Sequence, residues 1–242
     1  MTQKCIYIQD GDKGGVGKSF GSTVTCEALL ARHGKIALVE GDDSQPDLAL
    51  RYQGDPDVQL GVLPLNEAGD ASRAVSKFAG WLETHQPDRV VINLPAGAAK
   101  TLAAHADLIR MTADELGYKI VGLYNLGKGD TPTAGLVKSL ESGLLSQVDE
   151  PRRIIVYPAF QGDPHDFVWF DHPARKTFGG REIVMPFLDN RDCVRLMLST
   201  PGRLAHLAKV PAEGWMVVDK FNLARWLKAA IAAVEPILDI ED

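Results

Sequence analysis

The sequence lacks the features that would place it in a membrane or tie it together with disulfides. Its three cysteines, Cys5, Cys26 and Cys193, are widely spaced, odd in number and free of any CxxC pair. That pattern argues against a disulfide framework, a zinc site or a cluster-bridging pair. No run approaches the roughly 18–20 apolar residues of a membrane span. The opening residues, Met1-Thr2-Gln3-Lys4-Cys5-Ile6, carry no apolar signal region and enter a strand-like run directly. The expected location is therefore cytoplasmic. There is no internal repeat and no low-complexity segment, and His165 and His172 lack the partner ligands of a zinc site.

What is present fits a globular chain. The 242 residues are 45% hydrophobic, enough for a sizeable core. The net charge of −6 is unevenly spread. Residues 151–228 hold 12 Lys and Arg against 8 Asp and Glu, a local +4. Such a region is either ordinary solvated charge or a docking surface for nucleic acid.

Strand and helix signals alternate along the chain. Strands are expected at 5–9, 36–40, 89–94, 119–126, 153–157 and 182–186. Helices are expected at 19–33, 71–85, 103–116, 132–145, 192–198 and 222–238. Residues 44–70, rich in Asp, Gln, Pro and Gly, read mostly as loop. Residues 160–181 read as an irregular insertion with a short helix near 173–178. This alternation implies βαβ units and a mostly parallel, doubly wound sheet covered on both faces, a three-layer α/β sandwich forming a single domain. Such sheets bind ligands beyond the carboxyl ends of their strands, and each motif below follows an expected strand.

The most specific motif is Asp12-Lys13-Gly14-Gly15-Val16-Gly17-Lys18-Ser19-Phe20. Glycines let backbone N–H groups approach phosphate oxygens, and the following helix start adds positive potential. Lys18 is placed to reach β- and γ-phosphates, and the Ser19 hydroxyl to coordinate Mg²⁺. The second motif is Val39-Glu40-Gly41-Asp42-Asp43-Ser44-Gln45-Pro46. A carboxylate cluster at a strand end can hold Mg²⁺ through water and orient an attacking water. Asp42 is the favoured residue for that role, with Glu40 and Asp43 as alternates. The third is Val90-Val91-Ile92-Asn93-Leu94-Pro95-Ala96-Gly97.

In the first motif Asp12 stands where the usual phosphate loop has its first glycine, and a second lysine, Lys13, follows. This run resembles the deviant Walker A loop, KGGVGK[ST], of the ParA/MinD family of ATPases, which also includes nitrogenase iron protein. The resemblance implies a P-loop NTPase sheet, ATP and ADP as ligands with Mg²⁺, and an ATP-sandwich homodimer in which Lys13 reaches the partner subunit's nucleotide. It assigns nucleotide contacts to Gly14, Gly15, Val16, Gly17, Lys18, Ser19 and Phe20. It gives Gly97 a γ-phosphate contact in a hydrophobic-strand D-x-P-x-G pattern, and Pro186 and Asn190 contacts near adenine. Asn93 stands where that pattern has Asp, a departure that bears on Mg²⁺ handling and turnover. The expectation is slow turnover, which Asn93→Asp would speed. The missing cysteine pair disfavours a nitrogenase-like electron donor.

Phe160, Phe167, Trp169, Phe170 and Phe178 crowd the insertion, among His165, His172, Arg175 and Lys176. They read either as a partner surface with aromatic anchors or as a loop packing its own aromatics. The stretch from Trp169 to Pro186 also resembles ATPases encoded near plasmid stability and conjugation genes. The C-terminal Asp239-Ile240-Glu241-Asp242 is acidic, so anchoring to anionic lipid through the last helix is disfavoured. The leading expectation is a ParA-like ATPase switch acting with a partner protein, and with non-specific DNA as a further ligand. The alternatives are an ATP-dependent metabolic ligase on the same scaffold and a nucleotide-binding module with negligible turnover.

Overall fold

A computed structural model describes residues 3–11, 14–42, 46–62, 71–95, 98, 103–238 and 240. Seven strands form one sheet: β1 (Lys4–Asp10), β2 (Ile36–Glu40), β3 (Val58–Val62), β4 (Arg89–Asn93), β5 (Tyr118–Asn125), β6 (Arg153–Pro158) and β7 (Arg181–Met185). Their order is β3-β2-β4-β1-β5-β6-β7, and every pairing is parallel. The helices are α1 (Lys18–His33), α2 (Asp47–Tyr52), α3 (Ala71–His85), α4 (Ala106–Glu115), α5 (Asp130–Ser142), α6 (Arg191–Ser199), α7 (Leu204–Leu207) and α8 (Val217–Val234).

The central strands are buried on both faces, as covered parallel strands must be. Alternate side chains feed two cores. Cys5, Tyr7, Leu38, Val91, Leu123 and Val156 face one layer with α1 and α8, where Val24, Leu29, Leu223 and Ala230 meet them. Ile6, Ile8, Val39, Val90, Ile92 and Ile120 face the other, against Phe78 and Leu82 of α3 and Ile109 of α4. The expected three-layer α/β class is the observed one. The expected strands and helices are present, with ends shifted by up to five residues.

The 44–70 stretch departs from expectation, since it contains α2 and the edge strand β3. The strand was hidden because only Val58 and Gly61 of its five residues are buried and Gln59 and Gly61 interrupt its apolar run. That glycine has a packing reason: a Cβ there would lie 3.0 Å from the Trp81 ring. Helix α1 stops at Gly34, in left-handed conformation at φ 79°, with its N–H donating to Leu30 O.

The 160–181 segment settles the reading of its aromatics. It folds as three short 3₁₀ turns, Pro164–Asp166, Val168–Asp171 and Pro173–Thr177, between β6 and β7. Phe167 and Trp169 are buried in a third cluster with Tyr124, Leu136 and Tyr157. Trp169 Nε1 donates to Glu182 Oε1 at 2.9 Å, and the Arg175 guanidinium grips the same carboxylate at 2.9 Å. Most of these aromatics therefore pack the loop onto the sheet. Trp169 is fully buried, so Trp169→Ala should cost about 3–5 kcal/mol of unfolding free energy. A denaturant titration checks this; a loss under ~1 kcal/mol would contradict the packing role.

Candidate functional site

Because all strands run the same way, their carboxyl ends share one edge, and a cleft of about 450 Å³ opens there. Its phosphate-sized end is made by the loop from β1 to α1. Gly15 and Gly17 sit at φ 78° and 93°, a left-handed region that favours glycine, and Gly17 is the N-cap of α1. Gly14, Gly15, Gly17, Lys18 and Ser19 line the cleft. Val16 does not. Its side chain is buried, so only its backbone is available to a ligand.

A polar floor supports this loop. Asp10 Oδ1 accepts from Gly11 N at 2.8 Å. Asn125, at the end of β5, donates through Nδ2 to Gln9 Oε1 at 2.6 Å and to Asp10 O at 3.2 Å. Gly11 lies so close that a Cβ would come 2.9 Å from Asn125 O. Gln9 and Asp10 escaped attention in the sequence because nothing in their spacing marks them.

The other end of the cleft is apolar. Phe20 lines it and meets Trp226 of α8 edge to face, with centroids 5.8 Å apart. Trp226 Nε1 donates to Pro186 O at 2.8 Å, so α8 steadies the loop after β7. Pro186 lines the cleft, together with Phe187 and, from the loop after β6, Phe160. Phe160 and Phe187 remain about half exposed, at 48% and 52%. Phe160 stands beside the phosphate loop: a Cβ on Gly17 would be 3.5 Å from its ring. Asn190 is not on the cleft. Its side chain accepts from Cys193 N at 2.9 Å and caps α6.

On the acidic side, Asp42 and Asn93 line the cleft but Glu40 does not. Glu40 is fully buried. Its Oε1 accepts from Asn93 Nδ2 at 2.9 Å and Asp42 N at 3.2 Å. Its Oε2 accepts from Leu48 N at 3.2 Å and Ala49 N at 3.4 Å. Burial pushes the Glu40 carboxyl above its usual range, and these four bonds pull it back. A carboxylate so occupied is a structural anchor, which corrects its reading as a metal ligand. Asn93 Oδ1 in turn accepts from Ser22 Oγ at 3.0 Å. An Asp at 93 would set a second carboxylate against Glu40, so the expected gain from Asn93→Asp is withdrawn. Lys13, Asp43 and Gly97 lie outside the described residues.

Among the described residues, Ser19 and Asp42 line the cleft beside the phosphate loop with side-chain oxygens that could meet a cation. Among the described residues, no group of three His, Cys, Asp or Glu forms a ready cage. A sparse oxygen set suits Mg²⁺, which keeps waters and takes phosphate oxygens rather than filling an all-protein site. All three cysteines are buried thiols. No helix among the described residues is long and apolar enough to cross a membrane.

Comparison with known proteins adds limited information. No family model matches the chain. Protein MobD of Acidithiobacillus ferrooxidans is 32% identical over 131 residues, 52% of this chain and 52% of its own length. The chain thus spans about half the length of the curated relative it matches. Among solved structures, cell division protein FtsY of Thermotoga maritima is 14% identical, with a TM-score of 0.49 over 76% of this chain and 62% of that one. A nucleotide-binding protein from Archaeoglobus fulgidus in complex with ADP is 15% identical, with a TM-score of 0.43 over 78% and 85%. Likenesses this distant carry nothing about activity. The fold rests on the strand order and the phosphate loop themselves.

Lys18, at the mouth of α1, is the cation of the loop. Lys18→Ala should weaken nucleotide binding by roughly 1.5–3 kcal/mol, the worth of a hydrogen bond to a charged group, or about 10- to 150-fold. Titration with a fluorescent ADP analogue measures it. Wild-type affinity in the variant would remove the phosphate-loop assignment.

Proposed function

We propose that the chain is a ParA-like ATPase switch that binds ATP in the cleft, hydrolyses it slowly with Mg²⁺, and changes partners with nucleotide state. One observation carries the reading: the Gly14–Ser19 loop opens α1 at the carboxyl end of β1 and faces a cleft whose opposite end is apolar. Phosphates fit the first end and a base the second. Phe20, Phe160, Pro186 and Phe187 offer the base flat apolar surface. Adenine is the base implied by the resemblance of the loop to deviant Walker A ATPases.

In this reading the backbone N–H groups of Gly14, Gly15, Val16 and Gly17 hold the phosphates, with Lys18 offsetting their charge. Mg²⁺, when bound through Ser19, supplies charge that stabilises the transferring phosphoryl group. Asp42 orients the attacking water.

Partners are part of the proposal. The second lysine of the loop motivates an ATP-bridged homodimer. Exposed apolar side chains support this reading. Phe160 and Phe187 rim the cleft, and Met216, Val217 and Phe221 stand exposed at the start of α8. That helix start lies beside α6, since Cys193 Sγ meets Asp219 O at 3.4 Å. Direct DNA binding is the weaker element. Of the basic residues in 151–228, Arg152, Arg153, Arg175, Arg195 and Arg203 pair with carboxylates of the chain. The local +4 therefore overstates the charge offered to phosphates. Protein MobD, the relative found, fits the narrower resemblance to ATPases encoded near plasmid stability and conjugation genes.

Sedimentation with a non-hydrolysable ATP analogue, alongside a basal ATPase assay, tests the switch. The wild type should dimerise with the analogue and stay monomeric with ADP. Lys13→Ala should bind ADP normally yet dimerise less. Equal dimer formation by wild type and variant would reject the role of Lys13, and no ATP turnover above background would leave a binding module.

A further inference from the structure

We propose that Glu40 and Asn93 act as one positioning pair, holding Asp42 and the start of α2 beside the cleft, and that position 93 must be an amide because the carboxylate stands at 40. The inference rests on the nucleotide reading above, and it replaces the view of Asn93 as a weakened metal-side acid.

The two residues are register partners at the ends of neighbouring strands β2 and β4. Both are buried, Glu40 at 0% and Asn93 at 3% exposure. Among the described residues, the Glu40 carboxylate accepts from four neutral donors, three backbone N–H groups and the Asn93 amide. Each does a separate job. The bond to Asp42 N fixes the backbone that carries the only cleft-lining carboxylate among the described residues. The bonds to Leu48 N and Ala49 N cap α2, whose own N-cap, Pro46, makes no side-chain cap. The Asn93 bond ties this assembly to the central sheet, and Ser22 of α1 locks the amide the right way round.

Helix α2 is held at its other end as well. Arg51 donates to Thr200 O and Gly202 O at 3.2 and 3.0 Å, and Tyr52 OH donates to Glu27 Oε1 at 3.0 Å. Its N-terminal turn is therefore set by Glu40 against a fixed C-terminal end. Replacing Asn93 with Asp would substitute an acceptor for the donor and place two buried carboxylates about 3 Å apart, where both cannot remain ionised. Asn93→Ala removes the donor but adds no charge, so it should be the milder change.

Three variants test this: Asn93→Ala, Asn93→Asp and the swapped pair Glu40→Gln with Asn93→Asp. In the swap, the glutamine amide donates to the carboxylate at 93 and its oxygen still caps α2, but Asp42 N loses the acceptor it has in Glu40 Oε1. ADP affinity is measured with Mg²⁺ and again in EDTA, and thermal unfolding is followed without nucleotide. The expected order of Mg²⁺-ADP affinity is wild type, then Asn93→Ala, then Asn93→Asp. The last should fall at least ~10-fold, in the range seen when groups supporting metal ligands are changed. Affinities in EDTA should stay close together, because Asp42 then has no metal to serve. A purely packing role would move both series alike and overturn the positioning claim. The swapped pair should recover melting temperature relative to Asn93→Asp, while its Mg²⁺-ADP affinity stays below wild type because Asp42 N has lost its acceptor. The pair is overturned if Asn93→Asp binds Mg²⁺-ADP as well as wild type, or if the swap melts no higher than Asn93→Asp. Should wild type bind no nucleotide at all, the functional reading fails. The pair is then judged by unfolding alone: Asn93→Asp melting below Asn93→Ala upholds it, and the reverse order refutes it.

Discussion

All seven strands run in one direction, and that constraint decides where chemistry can happen in this chain. A parallel sheet sends every connection back over a face, so helices cover both sides and the strand ends gather at one edge. The phosphate loop follows β1, Asp42 follows β2, Asn93 ends β4, Asn125 ends β5, Phe160 follows β6 and Pro186 follows β7. Residues spread over most of the chain thus line or adjoin one cleft. The buried sheet supplies the rigidity, and the loops at its edge supply the polar groups.

The cleft divides into a phosphate end and an apolar end, and different forces shape each. At the first, positive-φ glycines bring backbone N–H groups to the surface, and Gln9, Asp10 and Asn125 brace the loop from below through buried hydrogen bonds. At the second, α8 reaches across. Trp226 contacts Phe20 at the start of α1 and hydrogen-bonds the backbone of Pro186. The same helix carries exposed Val217, Val218 and Phe221 near its start.

Much of this was legible in the sequence, and the reasons are local. Apolar runs such as Ile36–Glu40 and Arg89–Asn93 announce buried strands, and the Gly-Gly-Val-Gly-Lys-Ser run announces a phosphate loop. Where a feature depends on contacts between distant residues, the sequence was silent. β3 reads as loop because Gln59 and Gly61 interrupt it, yet Gly61 is there to admit Trp81. Glu40 looks like a metal-side acid until its bonds to Asn93, Leu48 and Ala49 are seen. Asn190 looks like a ligand contact and proves to be a helix cap. Phe160 sits in a segment whose other aromatics are mostly packed away, and only the fold singles it out for the cleft.

The central claim is that the chain anchors a nucleotide by its phosphates at the Gly14–Ser19 loop. Calorimetric titration of the wild-type protein with Mg²⁺-ATP, and separately with adenosine, addresses it directly. The account predicts saturable binding of one ATP per chain and far weaker binding of adenosine, since the loop has nothing to hold without phosphate. ATP and adenosine binding equally well, or neither binding, would contradict it.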